Sequence, residues 1–508
     1  MRSEACEAFL KIADQFNLGS LDTEKTQHLT ENLSQEANTD LPLAIKSLKR
    51  VDTEALSRLE DYLPTIAKLG EDIHDTLTQG GRIFLCGCGA SGRLSIALEV
   101  FCRQGLTQSK YKNRFIGFMA GGDVALIKSI ENFEDRPDYG ERQLKELGFK
   151  NGDLLISSTE GGETPFVIGA TEAAIKLSKR RPWFLYCNPD TQLKKLVERS
   201  RRILEDPRIQ SQSLAVGPMG LSGSTRMQAS TVLMASIGWA IETGGDAVLL
   251  SQRYRRFCDT WAAIDLDGLA TLTEAEADTY NEGDYVIYRT KDYGVTVLTD
   301  TTERSPTFSL PPFENDQSTD QAIGWCYLTV PETANVEQAW KHLLQRAPRC
   351  LEWEGISSFT GYNYILGFYI DSSCQLKRLE NKQESKQHLF DVDRTNDGFE
   401  FEFRGSRWSA DIKHLFFFDQ NLILKQVLNI HSTLIMGRLD RFESNLMTYV
   451  RASNFKLIDR TIRYVQLLSE YRSKQIPAYE KVAEVLFELK DKLHQDEPAV
   501  FRILESLE

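Results

Sequence analysis

A glycine-rich turn between a buried strand and a helix constrains the fold of this chain more than any other feature. The turn Gly87–Arg93, with the sequence GCGASGR, follows the apolar run Arg82–Cys86 and precedes a helical stretch that starts at Leu94. A strand that runs through such a turn into a helix is the first half of a βαβ unit, whose strands are parallel. The turn therefore predicts an α/β fold.

Further segments of the chain repeat this alternation of strand and helix. After residues 1–80, which have helical spacing, apolar strand candidates lie at Phe115–Met119, Leu154–Ser157, Trp183–Tyr186 and Ser213–Val216, with helices such as Pro165–Lys179 between them. Continuous apolar strands are typical of a parallel sheet with helices on both faces. A long helix predicted over Ser222–Ile241 would close this first unit.

A second series of strand candidates begins after residue 265. They are Tyr285–Tyr288, Val295–Leu298, Trp325–Leu328 and His414–Phe418, and a helix is expected near Val336–Gln345. We interpret Glu380–Gln387 and the alternating Phe399–Phe403 as a variable excursion from this second α/β unit. From Gln420 onward the chain is predicted to be helical.

The expected architecture is α/β, with two doubly wound parallel-sheet units flanked by helices. At roughly 100–200 residues per domain, a chain of 508 residues suits about three units. The predicted boundaries are a helical segment at 1–45, the first unit at 46–262, a divergent second unit at 263–420 and C-terminal helices at 421–508 that return to the site. No Pro- or Ser-rich linker separates these units, so we expect them to pack as one body.

Composition and charge exclude several classes of protein. The formal net charge of −13 argues against sequence-independent nucleic-acid binding, which needs a basic surface. No stretch approaches the ~18 apolar residues of a membrane span, and the acidic N-terminus lacks the apolar run of a secretory signal.

Cysteine and histidine usage points to the cytoplasm and away from metals. The nine cysteines are odd in number and several lie in apolar runs, as expected for buried free thiols in a reducing compartment. Cys86 and Cys88 are the only close pair, and no HxxxH or HExxH pattern occurs. We therefore expect no metal and no other cofactor.

The turn Gly87–Arg93 leaves three interpretations open. Its glycines fit the dinucleotide fingerprint G-x-G-x-x-G, but the acid Asp123 comes about 30 residues on rather than about 20. The hydroxyl of Ser91, with backbone N–H groups at a helix N-terminus, suits a phosphomonoester better. A tight turn without a ligand is the third interpretation.

Two later turns favour the phosphate interpretation. Ser157–Pro165 and Gly217–Met227 are also rich in hydroxyl groups and glycine, and each follows a predicted strand. The carboxyl ends of parallel strands meet at one edge of the sheet, where open α/β sheets bind ligands. The three turns together predict a sugar-phosphate or nucleotide-phosphate site.

Several segments match the motifs of one family. They are Gly87–Arg93, Ala120–Asp123, Glu131–Asp135, Val216–Pro218, Gly223–Met227, Leu428–Thr433, Asn445–Met447 and Ala452–Leu457. They resemble the SIS (sugar isomerase) domain of N-acetylmuramic acid 6-phosphate etherases and glucokinase regulatory proteins. In the etherases the two blocks of motifs are contiguous. Here a long stretch separates them, as in the regulatory proteins, which carry two SIS domains in one chain.

The resemblance implies a pair of carboxylates. An etherase needs a base that removes the proton next to the sugar's carbonyl carbon and an acid that protonates the departing lactyl oxygen. Glu134 matches the base position, and Phe101 stands at the acid position of the first unit. However, Asp300–Phe308 in the second unit reproduces the missing pattern and places Glu303 there. The chain would then be a fused pseudo-dimer with one composite site.

The resemblance also implies which residues bind the ligand. They are Gly89, Ala90, Ser91, Gly92, Arg93, Thr159, Thr164, Ser224, Thr225 and Lys456. Simpler roles stay open: Glu303 as a surface turn carboxylate, Glu134 as a helix-end charge and Lys456 as a solvated lysine.

Four residues depart from the family pattern, namely Glu160 and Glu163 in the second phosphate turn and Met219 and Gln228 beside the GSTRM motif. Two carboxylates near a phosphate repel it unless they are turned away or paired, for example with Arg93 or Arg226.

These departures and Phe101 favour a protein of the glucokinase-regulatory type that binds a hexose or aminosugar 6-phosphate at the composite site. The alternative is an etherase-like lyase, or a sugar-phosphate isomerase, with Glu134 as base and Glu303 as acid. Whether the chain is an enzyme stays open on sequence alone. We expect a monomer without nucleic-acid or membrane partners, and the resemblance implies a sugar kinase as protein partner.

Overall fold

The computed structural model describes residues 3–16, 18–130, 132–318, 322–381, 385–494 and 496–507. Glu131, which belongs to one of the family segments, and residues 382–384 of the expected excursion lie outside the described residues. No helix within the described ranges is both long and apolar enough to cross a membrane.

Two main sheets and a small hairpin contain the strands. The strands are β1 Ile83–Gly87, β2 Phe115–Met119, β3 Leu154–Ser158, β4 Trp183–Tyr186, β5 Gln210–Ser213, β6 Tyr285–Arg289, β7 Cys326–Thr329, β8 Gln387–Arg394, β9 Gly398–Phe403, β10 Ser406–Asp411, β11 Phe442–Glu443 and β12 Leu446–Met447.

Helices precede, connect and follow these strands. They are α1 Glu4–Leu10, α2 Leu33–Thr39, α3 Leu41–Ser57, α4 Leu63–Thr78, α5 Gly89–Phe101, α6 Pro137–Glu146, α7 Pro165–Leu177, α8 Asp190–Leu196, α9 Glu198–Leu204, α10 Gln228–Thr243, α11 Ala247–Ala263, α12 Leu269–Asn281, α13 Gly294–Phe308, α14 Val336–Leu344, α15 Ser357–Thr360, α16 Tyr362–Ile365, α17 Cys374–Asn381, α18 Phe417–Arg438, α19 Phe455–Tyr471, α20 Tyr479–Leu489 and α21 Ala499–Leu507. Short 3-10 turns lie at Ala13–Phe16, Leu18–Ser20, Asp22–Glu24, His28–Thr30, Arg58–Tyr62, Ser109–Arg114 and Asp123–Leu126, and a π-helical turn covers Cys102–Leu106.

The first sheet is parallel throughout, as its apolar strands predict. Its strand order is β2-β1-β3-β4-β5, with helices in every connection between consecutive strands. The chain thus moves outward from the centre in both directions, which is the doubly wound arrangement. Two predicted boundaries are wrong: β5 ends at Ser213, where the predicted strand begins, and α10 begins at Gln228, because residues 222–227 form a turn.

The second sheet is mixed, with strand order β10-β9-β8-β6-β7. Strands β6, β7 and β8 run parallel, whereas β9 pairs antiparallel with both β8 and β10. The α/β class is therefore confirmed, and a second sheet forms within the predicted second unit. The expectation of a wholly parallel second sheet is corrected, since a hairpin forms one of its edges.

That hairpin contains the segment that the sequence led us to interpret as an excursion. Phe399, Phe401 and Phe403 are fully buried on one face of β9, while Glu400 and Glu402 between them are only half-buried. Apolar residues at every second position form one face of a strand, and such a strand covers a core on one side only. The excursion interpretation is wrong for these residues.

Two strand predictions in the second unit are also wrong. Val295–Leu298 lies in α13, and His414–Phe418 leads into α18 instead of forming a strand. The β-branched Val295, Thr296 and Val297 favour a strand by intrinsic preference. Packing of α13 against α18 and β7 overrides this preference.

Helix α18 lies buried between the two units. Its side chains from Phe418 to Gly437 are buried, including the polar ones. It packs against α3 and α10 on one side and against α12 and α13 on the other. Its Asp419 accepts hydrogen bonds from Trp239 at 2.9 Å and from Arg253 at 3.0 Å. The C-terminal part of the chain therefore holds the two units together.

Four charged side chains fasten the second unit to the edge of the first. Glu99 in α5 and Asp123 after β2 are buried and face Arg346 and Arg349, which follow α14. Arg346 Nη2 donates to Asp123 Oδ1 at 3.1 Å, and Arg349 Nη1 donates to Glu99 Oε2 at 2.7 Å. Buried carboxylates stay ionised only when such partners compensate for lost hydration.

Asp123→Asn should lower the free energy of unfolding by about 2–4 kcal/mol at pH 7, because it leaves Arg346 without one of its two buried carboxylates. Urea unfolding followed by circular dichroism measures the change. Asp138→Asn is the matched control, since Asp138 pairs with Arg136 at the exposed surface and should contribute little. Equal stability of the two variants would contradict the role given to Asp123.

Candidate functional site

The hydroxyl-rich turns lie at one edge of the first sheet. In the parallel register, Gly87 at the end of β1 is opposite Met119 at the end of β2, and Cys86 is opposite Ser157 in β3. The turns after β1 and β3 therefore emerge side by side at the carboxyl edge of the sheet.

The glycine turn brings the first residues of α5 against the end of β1. A Cβ atom at position 87 would lie 2.2 Å from the Ser91 carbonyl oxygen, so no larger residue fits there. The Ser91 hydroxyl donates to the Cys88 carbonyl oxygen at 2.9 Å and accepts from the Cys88 N–H at 3.2 Å. Ser91 thus stabilises its own turn, as in a capping box.

A cavity of about 300 Å³ lies where these turns meet the second unit and the C-terminal helices. Its lining includes Gly89, Ala90, Arg93, Glu134, Ser224, Thr225 and Arg226 from the first unit, Glu303 and Thr307 from the second, and Asn454 and Arg460 from the C-terminal segment. Its volume is at the small end of the range for small-molecule sites.

Some of the predicted site residues line this cavity and others do not. Those that line it are Gly89, Ala90, Arg93, Glu134, Ser224, Thr225 and Glu303. The predicted residues outside its lining are Ser91, Gly92, Thr159, Thr164 and Lys456. The roles given to all of these residues stay predictions, but the two glutamates from different units do face one cavity.

Glu134 lies on the segment that leads into α6 and is half-buried. Its backbone carbonyl accepts a hydrogen bond from the Phe166 N–H at 3.0 Å, which ties the segment to α7. Burial raises the pKa of its carboxyl group, although the charge of Lys456 opposes this shift. Its partial exposure leaves the carboxylate accessible to a ligand.

Glu303 lies on α13 and is only 4% exposed. Its Oε1 atom is 3.8 Å from Nη1 of Arg93, which is too long for a hydrogen bond. Burial raises the pKa of this carboxyl group despite the nearby charges of Arg93 and Arg226. The interpretation of Glu303 as a surface turn carboxylate is therefore wrong.

Four buried polar atoms of the cavity lining have no hydrogen-bond partner within the described part of the chain. They are Arg93 Nη2, Ser224 Oγ, Arg226 Nε and Glu303 Oε1. Buried polar groups are nearly always satisfied in folded proteins, because each unsatisfied group costs about 1–3 kcal/mol. A polar ligand bound in this cavity would supply partners for such atoms.

Arg226 is held by the second unit and by α18. Its Nη1 atom donates to Asp300 Oδ1 at 3.1 Å, and its Nη2 atom donates to Thr433 Oγ1 at 2.9 Å. These contacts leave Nε without a partner beside the cavity. Sequence reasoning named Arg226 only as a partner for the loop carboxylates, since Asp300 and Thr433 are distant in the chain.

The turn Ser157–Pro165, which the sequence predicts to bind a phosphate, is closed by its own contacts. The hydroxyls of Thr159 and Thr164 hydrogen-bond to each other at 3.0 Å, and both residues are buried. Glu160 accepts a hydrogen bond from Ser230 at 2.8 Å, and burial raises its pKa to about 7.

Glu163 pairs with Lys456 and Arg199, so the suggested pairing with Arg93 or Arg226 is wrong. Lys456 Nζ donates to Glu163 Oε1 at 2.8 Å, and Arg199 donates to Oε2. Burial alone would raise the pKa of Glu163, but the two cations outweigh it and lower the pKa to about 2. Lys456 is therefore an ion-paired lysine, and its charge is already balanced.

Met219 and Gln228 stabilise the turn Gly217–Met227 by hydrogen bonds to its backbone and to the residues next to it. Gln228 accepts from the Gly220 N–H at 2.9 Å and donates to Asp52 at 2.7 Å. The thioether of Met219 accepts from the Ala229 N–H at 3.4 Å. Neither residue is among those that line the cavity. Both departures from the family pattern therefore act on the conformation of the turn.

Two further cations were missed by sequence reasoning. Lys425 in α18 donates to the Arg226 carbonyl at 2.8 Å and to Asn429 at 2.9 Å, and burial lowers its pKa to about 8. Arg460 in α19 lines the cavity and pairs with Glu24 at 2.6 Å. The contacts that place them cross much of the chain, and no local motif reveals them.

Phe101 and Asp123 have structural roles. Phe101 is buried, and its ring packs edge-to-face on Phe418 in α18, with the ring centroids 5.5 Å apart. Asp123 is paired with Arg346 at the edge of the first unit. It is therefore not available to bind a ribose, as the dinucleotide interpretation of the glycine turn requires.

One group of side chains in the described residues has metal-ligand geometry. Glu282, Asp284 and His388 lie close together at the second sheet, with Asp284 Oδ2 2.8 Å from His388 Nε2. Arg404 pairs with Glu282, and none of the three residues lines the cavity. This group of side chains is therefore separate from the candidate site.

Comparison with known proteins identifies the class of this chain. The family described as the glucokinase regulatory protein N-terminal SIS domain matches residues 65–175. N-acetylmuramic acid 6-phosphate etherase 1 of Bacillus licheniformis is 30% identical over 215 residues, which are 42% of this chain and 65% of that protein. The corresponding etherase of Aliivibrio fischeri strain MJ11 is 30% identical over 235 residues, 45% of this chain and 73% of that protein. Tagatose-6-phosphate ketose/aldose isomerase from Escherichia coli aligns with a TM-score of 0.43 at 12% identity, over 83% of this chain and 97% of that chain.

The chain is thus an SIS-domain protein of the sugar-phosphate class. It belongs to the family that contains the N-acetylmuramic acid 6-phosphate etherases.

Glu163→Gln should lower the free energy of unfolding by roughly 3 kcal/mol at pH 7, because it leaves Lys456 and Arg199 without their carboxylate. The folded-state pKa of about 2 lies below the ordinary value of 4.5, so this contribution is complete above about pH 5 and is lost as the pH falls toward 2. Urea unfolding at pH 7 and pH 3 measures the difference in the free energy of unfolding between wild type and variant. At pH 3 this difference should be less than half of its value at pH 7.

Glu198→Gln is the control for that experiment, since Glu198 pairs with Arg201 on the exposed surface. It should behave like wild type at both pH values. If the loss of unfolding free energy in Glu163→Gln were the same at both pH values, the ionised state proposed for Glu163 would be wrong.

Proposed function

We propose that this protein cleaves the lactyl ether of an N-acetylmuramic acid 6-phosphate substrate and is therefore a carbon–oxygen lyase. The observation that carries this proposal is that Glu134 and Glu303, from different α/β units, line one cavity. The similarity to etherases also supports it and favours this alternative over a protein that only binds. The matched region spans 65% of the first of these relatives.

In this proposal Glu134 is the base and Glu303 is the acid. Glu134 accepts the proton next to the carbonyl carbon, and the electrons of that C–H bond form a carbon–carbon double bond. The bond to the lactyl oxygen breaks, and the proton of Glu303 moves to that oxygen, so lactate departs. Glu134 ends protonated and Glu303 ionised, and proton exchange with water restores the pair.

The surroundings of the two carboxyl groups support this assignment. Glu303 is almost fully buried, so its ionised form has little hydration, and a group that must carry a proton is favoured there. Glu134 is half-buried, so water still hydrates part of its ionised form. Burial raises the pKa of both groups, and the two differ in exposure, since Glu303 is the more deeply buried.

A second candidate is a sugar-phosphate-binding regulator without turnover. The match of residues 65–175 to the glucokinase regulatory protein N-terminal SIS domain favours it. The pairing of Lys456 with Glu163 also favours it, because a cation suited to a phosphate is already neutralised. In that case a cytoplasmic sugar kinase is the expected partner.

Incubation with N-acetylmuramic acid 6-phosphate should release lactate, measured with a coupled dehydrogenase assay. Glu134→Gln and Glu303→Gln should each lower kcat by about 100- to 10,000-fold, because each removes one proton-transfer group. The double variant should be little worse than either single variant, as expected for residues that act together.

Glu141→Gln is the matched control, since Glu141 lies on α6 near Glu134 in the chain and pairs with the exposed Lys145. It should retain wild-type activity. Binding of the sugar phosphate without any lactate release would contradict the lyase proposal and favour the regulator.

The intact chain should bind one sugar phosphate, because the cavity takes residues from both units and from α19. Isothermal titration calorimetry of the Glu134→Gln variant, in which turnover is strongly slowed, measures the stoichiometry. Two equivalent sites per chain would show that each unit carries its own site and would contradict the composite arrangement.

A further inference from the structure

We propose that Arg93, with Arg226 and Ser224, recognises the carboxylate of the lactyl group and so selects for substrates with an acidic ether substituent. This inference rests on the proposed function. It concerns how the departing group is recognised, and not the proton transfers or the phosphate.

Three side chains that line the cavity carry donor atoms without a protein partner in the described part of the chain. Arg93 Nη2, Arg226 Nε and Ser224 Oγ are all buried and without hydrogen-bond partners within the described residues. Arg93 is 1% exposed, and its Nε atom is fixed by the Leu126 carbonyl at 3.2 Å and Thr302 at 3.3 Å. The guanidinium is therefore held in one orientation, which suits a planar carboxylate.

The charge balance around Arg93 requires a further anion. Arg226 is compensated by Asp300, whereas Glu303 is the carboxylate paired with Arg93 in the described structure. A general acid must carry its proton when the substrate binds. Arg93 is then a buried cation without a counter-ion, which is a costly state that a ligand carboxylate relieves.

The position of Glu303 decides which anionic group of the substrate lies here. As the acid, Glu303 must contact the ether oxygen, and the lactyl carboxylate is attached to the carbon next to that oxygen. The phosphate is on the sugar's C6, away from the ether. Because Arg93 Nη1 is 3.8 Å from Glu303 Oε1, the carboxylate is the anionic group within its reach.

Calorimetry on the Glu134→Gln protein tests this inference without turnover. The ligands are N-acetylmuramic acid 6-phosphate, the same molecule with its lactyl group converted to a carboxamide, and unphosphorylated N-acetylmuramic acid. The carboxamide should bind about 10- to 100-fold more weakly than the acid, because it loses a charge-assisted interaction with a buried cation. Equal affinities would overturn the proposal.

Arg93→Gln in the same background should weaken binding of the acid by a similar factor and binding of the carboxamide far less. If this variant does not fold, Ser224→Ala gives a second test, because its hydroxyl has no protein partner to lose within the described residues. Ser224→Ala should weaken binding of the acid several-fold more than binding of the carboxamide. Equal effects on both ligands would overturn the proposal.

The unphosphorylated ligand shows whether Arg93 binds the phosphate or the lactyl carboxylate. If the effect of Arg93→Gln disappears when the phosphate is removed, Arg93 binds the phosphate and the proposal is wrong. Lactate release by wild type distinguishes failure of this inference from failure of the lyase proposal. Turnover without discrimination between acid and carboxamide defeats only this inference, and discrimination without turnover defeats only the lyase.

Discussion

The buried carboxylate of Asp300 is the interaction on which the arrangement of the site depends. It accepts hydrogen bonds from Arg226 of the first unit, from Arg304 on its own helix and from Ser432 of α18. Removing it would leave two buried guanidinium groups without their shared carboxylate. Asp300 and Glu303 lie on α13, so the contact that fixes Arg226 also sets the distance between Glu303 and the first unit.

The predicted residues that line the cavity belong to local motifs, which is why the sequence could indicate them. The glycine turn, the segment with Glu134 and the turn with Ser224 each follow a strand of one parallel sheet, whose geometry brings them together. The contacts of the side chains could not be predicted. Glu163 is neutralised by Lys456, which lies far along the chain, and the Ser91 hydroxyl bonds to its own turn. Such pairings depend on tertiary distances that no spacing rule contains.

The fold was predictable for the first unit and less so for the second. Strands β1 to β4 of the first sheet are short, mostly apolar and separated by helices, so that pattern and burial agree there, whereas β5 is polar and only partly buried. In the second unit they conflict. Val295–Leu298 has the composition of a strand but packs as a helix on α18, and β9 has one half-buried face because it belongs to an antiparallel hairpin. Local preference is weak compared with burial, so it fails where the two disagree.

Phe101 illustrates a consequence of having two α/β units in one chain. In a symmetric dimer every substitution occurs twice, so a glutamate could not be kept in one half and lost from the other. Here the two units belong to one chain, so an apolar Phe101 packs on Phe418 while Glu303 of the second unit lines the cavity. The two units also differ in their sheets, since the first is wholly parallel and the second is mixed. One chain with two units is therefore free of the constraint that a symmetric dimer imposes on every position.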